Sequence, residues 1–351
     1  MPASVRERSP GAAHLPPPLD AASHEPPATA RARRAVEVHV PPSPGRARLV
    51  AAYAAATRPA MVAPSAAELA ARLGRYRERM SGPYQVRGAS VAVPAAFRMV
   101  GGMNQASSQK CMAAIAKALG PEAFRAVRVA AAQVTMGKGT PEQVRALTQA
   151  LIGSPAFAAY AKLPSAQAVR HLMWDFGIGV DCSGYVHHAF LYSRGAGDAA
   201  APSARYGLGA AELSGLQSLP GPHFRRVSPA LARPGDVIKL SQGDDGTGHK
   251  VIVTARDELT ASDPRYAAAA AALGSAPGAR LHVVTVASSW GAGGDPERGG
   301  VGEATWAYDE GTERWSTLRR LGSGNYMAHP SSKSGPYDHV LDGVFRPRRE
   351  P

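Results

Sequence analysis

Residues 181–185 read Asp-Cys-Ser-Gly-Tyr, and this run combines groups that could carry out chemistry. Residues 186–192 are apolar and are predicted to continue as a helix. Cys182 then lies at the helix start and Asp181 at the N-cap position. Unpaired backbone N–H groups and the positive end of the helix dipole favour an anion there, so we expect the thiolate of Cys182 to be stabilised. The run therefore predicts a cysteine nucleophile.

A cysteine nucleophile needs a base that takes its proton and an acid that returns a proton to the leaving group, and histidine can do both. His187 and His188 follow Cys182 on the same predicted helix. At about 100° per residue they point away from Cys182, so we expect surface or core roles for them. His249 is better placed, because it opens a predicted strand directly after the flexible, glycine-rich residues 242–248.

The position of His249 at a strand end predicts how it could meet the nucleophile. Its backbone would be fixed by the sheet, and its ring would lie at the sheet end, where a helix start can reach it. In the two-residue alternation of a strand, His249 shares a face with Val251 and Val253. We expect that face to pack against the helix of Cys182, which makes His249 the predicted base.

The chain after residue 192 changes to short β-branched runs separated by Gly, Asp and Pro. The clearest predicted strands are 237–240, 251–254 and 283–286, and 306–308 and 343–345 are weaker. One helix followed by several short strands predicts an α+β domain with an antiparallel sheet. Residues 291–302 are rich in glycine and are predicted to be a long loop.

The order of these motifs resembles the NlpC-type papain-like cysteine peptidases of bacterial cell walls. The first motif is Asp-Cys-Ser-Gly at a predicted helix start. It is followed by Pro-Gly-Asp at 234–236 and by Gly-His at 248–249, and each of these two motifs leads into a predicted strand. The resemblance covers roughly residues 165–345. It implies a papain-like fold, Cys182 as nucleophile, His249 as base, and peptidoglycan endopeptidase or amidase activity. The Cys–His pair also fits the related amidase class often called CHAP.

The resemblance also implies a third polar residue on the strand after the base, which orients the imidazole. The matching position falls near Ala287 or Ser288. Ser288 shares a strand face with Val284 and Val286 and is the predicted orienting residue, with Ser289 and His282 as alternatives.

Three residues are predicted to bind substrate: Asp181, Ser183 and Trp174. Asp181 has two readings, as a plain N-cap or as a group that also binds a substrate amine. The family's tyrosine upstream of the nucleophile is missing, and Trp174 is the nearest aromatic residue that could wall the groove. No cofactor is required, and no metal-ligand motif is present in the sequence.

Composition divides the chain into three predicted regions. Residues 1–46, rich in Pro, Ala and Arg, are predicted to be disordered, with a possible short strand at 36–40. Residues 47–164 show helical periodicity and are predicted to be an accessory region, in which Cys111 is a buried apolar side chain. Residues 165–351 form the predicted hydrolase domain.

The 351 residues carry a formal net charge of +13, which suits an anionic partner such as a cell-wall polymer or simply a solvated basic surface. The arginines are scattered, so no specific nucleic-acid binding is predicted. Two cysteines do not make a disulfide scaffold. No signal peptide or membrane span is evident, which predicts a cytoplasmic protein or one exported by a non-classical route. The partner is then a peptidoglycan peptide or another amide, and the oligomeric state stays open. The alternative is a non-catalytic binding or scaffold protein of the same fold.

Overall fold

The structure is a computed structural model that describes residues 63–99, 106–195, 219, 223–241, 248–291 and 295–348. The predictions for residues 1–46, including the strand at 36–40, lie outside these residues. The described residues belong to one compact unit, Met61–Pro351.

Helices precede the sheet along the described chain, with one further helix between two strands. The α-helices are α1 (Ala66–Arg79), α2 (Ser108–Thr135), α3 (Pro141–Ile152), α4 (Ser165–Asp175), α5 (Cys182–Ser193) and α6 (Tyr266–Leu273). The strands are β1 (Tyr84–Val86), β2 (Ala89–Val91), β3 (Phe224–Val227), β4 (Val237–Ser241), β5 (Gly248–Leu259), β6 (Leu281–Trp290), β7 (Gly300–Asp309), β8 (Arg314–Arg320), β9 (Tyr326–Pro330) and β10 (Val340–Pro347).

The fold is α+β, with an eight-stranded sheet in the order β3-β10-β4-β5-β6-β7-β8-β9. All neighbouring strands of this sheet pair antiparallel, as the sequence predicted. The five predicted strands fall within β4, β5, β6, β7 and β10. Residues 295–299 lie outside helices and strands, whereas Gly300 already begins β7, so the predicted loop is shorter than expected.

Local capping explains where two of the N-terminal helices begin. Ser65 caps α1 and forms a reciprocal capping box with Glu68, and Thr140 does the same for α3 with Gln143. Pro141 occupies the first turn of α3, where its missing N–H costs nothing. These signals are local, because each cap and its partner lie three residues apart.

The helices and one face of the large sheet share a single hydrophobic core. From the helices it contains Leu73, Tyr76, Leu147, Tyr185, Val186 and Phe190, and from the sheet Val237, Ile252, Ala287 and Phe345. The boundary predicted between residues 164 and 165 therefore does not separate two cores. The helical region is packed into the same body as α5.

The opposite face of the sheet has its own apolar cluster. It contains Ile238, Leu240, Val251, Val253, Val284, Val286, Trp306, Trp315 and Val344. The helix-facing side and this second side are both buried, so each central strand is apolar on both faces. None of the described helices is long and apolar enough to cross a membrane.

Candidate active site

The start of α5 has the geometry that residues 181–185 predicted. Asp181 is the N-cap, and its Oδ1 accepts hydrogen bonds from the Gly184 N–H at 2.6 Å and from the Ser183 hydroxyl at 2.9 Å. Gly184 sits so close to Gly137 that an added Cβ would collide with the Gly137 carbonyl oxygen. This close approach fixes the helix start and explains the glycine of the run.

Lys138, from the link between α2 and α3, holds this helix start from the other side. Its ammonium lies 2.5 Å from the second carboxylate oxygen of Asp181 and also contacts the Ser183 hydroxyl. Both oxygens of Asp181 thus have partners within the chain. The structure gives Asp181 the capping role and Ser183 a buried place in the same network, and the sequence had not singled out Lys138.

Cys182 is partly exposed, but its thiol is not the stabilised thiolate that we expected. Burial raises the pKa of Cys182 above its ordinary value, and the adjacent Asp181 carboxylate raises it further. A hydrogen bond from the Lys250 backbone N–H and the charges of Lys250 and Lys138 lower that pKa without reversing the shift. The expectation was wrong because desolvation and a neighbouring carboxylate outweigh the favourable helix start.

Lys250 is the side chain of β5 that lies beside Cys182. Lys250 is buried, and its strand partner on β4 is Lys239. Lys239 lies two residues after Val237, which belongs to the core that the sheet shares with the helices, so both residues are on that face of β4. Ile252, two residues further along β5, belongs to that same core. The alternation of β5 thus turns Lys250 and Ile252 toward the helices. Lys250 was not among the site residues predicted from the sequence.

His249 points to the other face of the sheet, so the structure does not bring together the predicted nucleophile and base. Its ring packs on Trp290 with centroids 4.6 Å apart, and Trp290 in turn contacts Trp306 of the second apolar cluster. Val251 and Val253 lie in that cluster too, so the expectation that they pack against the helix of Cys182 was wrong. Ile252 packs against the helices instead, so the residues of β5 that face the helices are one position away from those that we predicted.

The residues predicted to orient the imidazole of His249 are hydrogen-bonded to other groups. The Ser288 hydroxyl is fully buried and donates to the Lys250 carbonyl at 2.6 Å. The Ser289 hydroxyl donates to the Val180 carbonyl at 2.6 Å. His282 lies far along β6, where its ring is 2.8 Å from Arg256 and 3.3 Å from Glu310. Ser288 instead anchors the strand of Lys250, and Ser289 anchors the residue that precedes the N-cap of α5.

We expected Trp174 to line the substrate groove beside Cys182, but it lines a cavity beside Cys111. It is half-buried on α4 and lines a cavity of about 200 Å³ together with Cys111, Arg98 and Gly177. Cys182 is not among the described residues that line this cavity. Cys111 is buried in α2, as predicted, with its sulfur 3.5 Å from the Arg98 guanidinium.

His187 is buried in α5, in line with one of the two roles predicted for it, and His188 is half-buried. His188 Nε2 lies 3.0 Å from the Lys138 carbonyl oxygen. Burial lowers the pKa of His187 to about 4, with smaller contributions from His188 and Lys138. Burial lowers the pKa of His249 to about 3, with smaller contributions from His339 and Lys250. Neutral imidazoles are therefore the stable forms of His187 and His249 in the folded protein.

These buried histidines predict acid destabilisation. The pKa of His249 is near 6.5 in the unfolded chain, so its contribution to stability is complete above about pH 6.5 and is lost as the pH falls toward 3. We expect the free energy of unfolding to drop between pH 7 and 4, at most by about 1.4 kcal/mol per pH unit for each such histidine. Urea unfolding at several pH values measures this. His249→Phe, which keeps an aromatic ring beside Trp290, should flatten the dependence, and an unchanged slope would contradict the placement of His249.

Within the described residues, no group of three or more His, Cys, Asp or Glu side chains is arranged to hold a metal ion. The start of α5 brings together the Cys182 thiol, the charges of Lys138 and Lys250, and the first backbone N–H groups of the helix. Comparison of the chain with protein-family models, with curated proteins and with solved structures finds no match in any of the three.

Proposed function

We propose that the protein is a cysteine-type peptidase or amidase, with a papain-like arrangement of helix and sheet, that hydrolyses amide bonds of peptidoglycan peptides through a thioester on Cys182. The observation that supports this most is the position of the Cys182 thiol. It is partly exposed at the start of α5 and is hydrogen-bonded to the backbone of a central antiparallel strand. The same placement of a nucleophile is implied by the resemblance of residues 181–185.

The start of α5 also suits the charge that develops during acyl transfer. The Asp181 side chain accepts a hydrogen bond from the Gly184 N–H, and the Asp181 carbonyl oxygen accepts one from the Tyr185 N–H. The first N–H groups of a helix have no partner within the helix, so those of Cys182 and Ser183 are suited to donate to an oxyanion. Lys138 and Lys250 add positive charge near the sulfur, which suits the carboxylates of cell-wall peptides.

The His249 part of the predicted mechanism does not enter this proposal, because that imidazole lies on the far face of the sheet. The substrate class rests on the resemblance of the motif, and the nucleophile rests on the geometry of α5. The two parts can fail separately, so the experiment has to distinguish them.

Digestion of purified muropeptides of several peptidoglycan types, followed by mass spectrometry, tests the proposal. The expected product is a peptide shortened by hydrolysis of one amide bond, formed by the wild-type protein and by Cys111→Ala. Acylation of Cys182 by an activated ester without any muropeptide product would overturn the substrate class alone. No reaction of Cys182 with either substrate would favour the non-catalytic binding protein.

A further inference from the structure

The site as described holds a protonated thiol and no histidine among the groups described beside it. Burial and Asp181 raise the pKa of Cys182, so the sulfur attacks readily only if another group takes its proton. That group must lie on the helix-facing side of the sheet. The charged side chains that act on the pKa of Cys182 from packed elements are Asp181, Lys138 and Lys250.

Lys250 differs from the other lysines near the sulfur in having no carboxylate partner among the described residues. Lys138 is ion-paired with Asp181 at 2.5 Å, and Lys239, across the strands from Lys250, is paired with Asp342 at 3.3 Å. The Lys250 backbone N–H is hydrogen-bonded to the Cys182 sulfur, and Ser288 fixes the carbonyl of the same residue. The side chain of Lys250 is thus buried beside the thiol and held by its strand.

We propose that Lys250, in place of His249, takes the proton of the Cys182 thiol as the sulfur attacks the substrate carbonyl. This inference rests on the proposed function. The S–H bond breaks as the S–C bond forms, and the Lys250 amine becomes an ammonium. The ammonium then gives its proton to the departing amine as the C–N bond breaks, which leaves a thioester. Water next adds to the thioester and loses its proton to Lys250, which returns that proton to the sulfur when the acid is released.

The electrostatics of the site support this exchange. Burial lowers the pKa of Lys250 to about 8, with Lys138 and Lys239 lowering it and Cys182 and Asp181 raising it. A neutral amine is therefore accessible in mildly alkaline solution, before the thiol itself ionises. A lysine with a pKa lowered toward neutrality has the proton affinity that general base catalysis requires.

Substitution of Lys250 by arginine distinguishes a general base from a residue that only supplies positive charge. A guanidinium keeps the charge but does not lose its proton in proteins. The probe is p-nitrophenyl acetate, which acetylates a reactive thiol without protonation of its leaving group. The wild-type protein should show a burst of one nitrophenolate per Cys182, followed by turnover that rises with pH around 8. In Lys250→Arg we expect the burst to keep its amplitude but to become slower, turnover to fall on the order of 100-fold, and the pH step near 8 to vanish.

Two further variants control for packing and for charge. Lys250→Met should also lose turnover, and Lys162→Met, which removes an exposed lysine before α4, should stay within about threefold of the wild type. Thermal melting confirms that each variant is folded. Turnover and a pH step in Lys250→Arg that match the wild type would overturn the base role alone. Absence of any acetylation of Cys182 in the wild-type protein would overturn the proposed function and this inference with it.

Discussion

Cys182→Ala is expected to lose hydrolysis of muropeptides by at least on the order of 10³-fold, because the sulfur forms the covalent intermediate and no other described group can replace it. The side chain is small and partly exposed, so the fold should be retained. Product formation measured by mass spectrometry at equal protein concentration gives the ratio. Melting temperatures within a few degrees of the wild type would show that the loss is chemical.

Cys111→Ala is the matched control for that experiment. Cys111 is the other cysteine of the chain and is buried in α2 beside Arg98. We expect a modest stability loss, on the order of 1 kcal/mol, and unchanged hydrolysis. Equal loss of hydrolysis in Cys111→Ala and Cys182→Ala would contradict the assignment of the nucleophile.

Gly184→Ala is expected to destabilise the protein and to displace the nucleophile. The added Cβ would meet the Gly137 carbonyl oxygen, a backbone atom that cannot rotate away, and would lie near Asp181 and Val180. Overpacking of this kind costs about 1 to 3 kcal/mol, which outweighs the gain of about 1 kcal/mol in helix propensity. We expect the urea midpoint to fall and acetylation of Cys182 to slow at least tenfold.

Gly74→Ala isolates the effect of the close approach. Gly74 also lies inside a helix, α1, but an added Cβ there meets nothing within 4 Å. Its substitution should stabilise the protein by about 0.5 to 1 kcal/mol, since only the unfolded chain loses freedom. If both variants raised stability alike, the packing of α5 on Gly137 would be refuted.

The sequence predicted what depends on local signals. The start of α5 follows from Asp181 and the apolar residues behind it, and the strands follow from β-branched runs bounded by glycine. These features need only neighbours along the chain. The antiparallel sheet and the position of Cys182 at the first turn of α5 could therefore be predicted correctly.

The facing of β5 could not be predicted, because its central residues are apolar on both sides. Val251 and Val253 are buried in one cluster and Ile252 in the other. The alternation of a strand requires that consecutive side chains point to opposite faces of the sheet. It does not determine which of the two faces packs against the helices when both are apolar. A change of one residue moved His249 away from Cys182 and put Lys250 beside it. Likewise, Lys138 meets Asp181 only through tertiary contact across 43 residues of sequence.

Peptide mapping of the acetylated protein tests the central claim most directly. After reaction with p-nitrophenyl acetate at pH 8.5, an acid quench and trypsin digestion, the two cysteines fall in separate peptides, residues 111–117 and 171–194. We predict one acetyl group on the peptide 171–194, at Cys182 and removable by hydroxylamine, and none on 111–117. An unmodified Cys182, with the label on another residue or absent, would contradict the account.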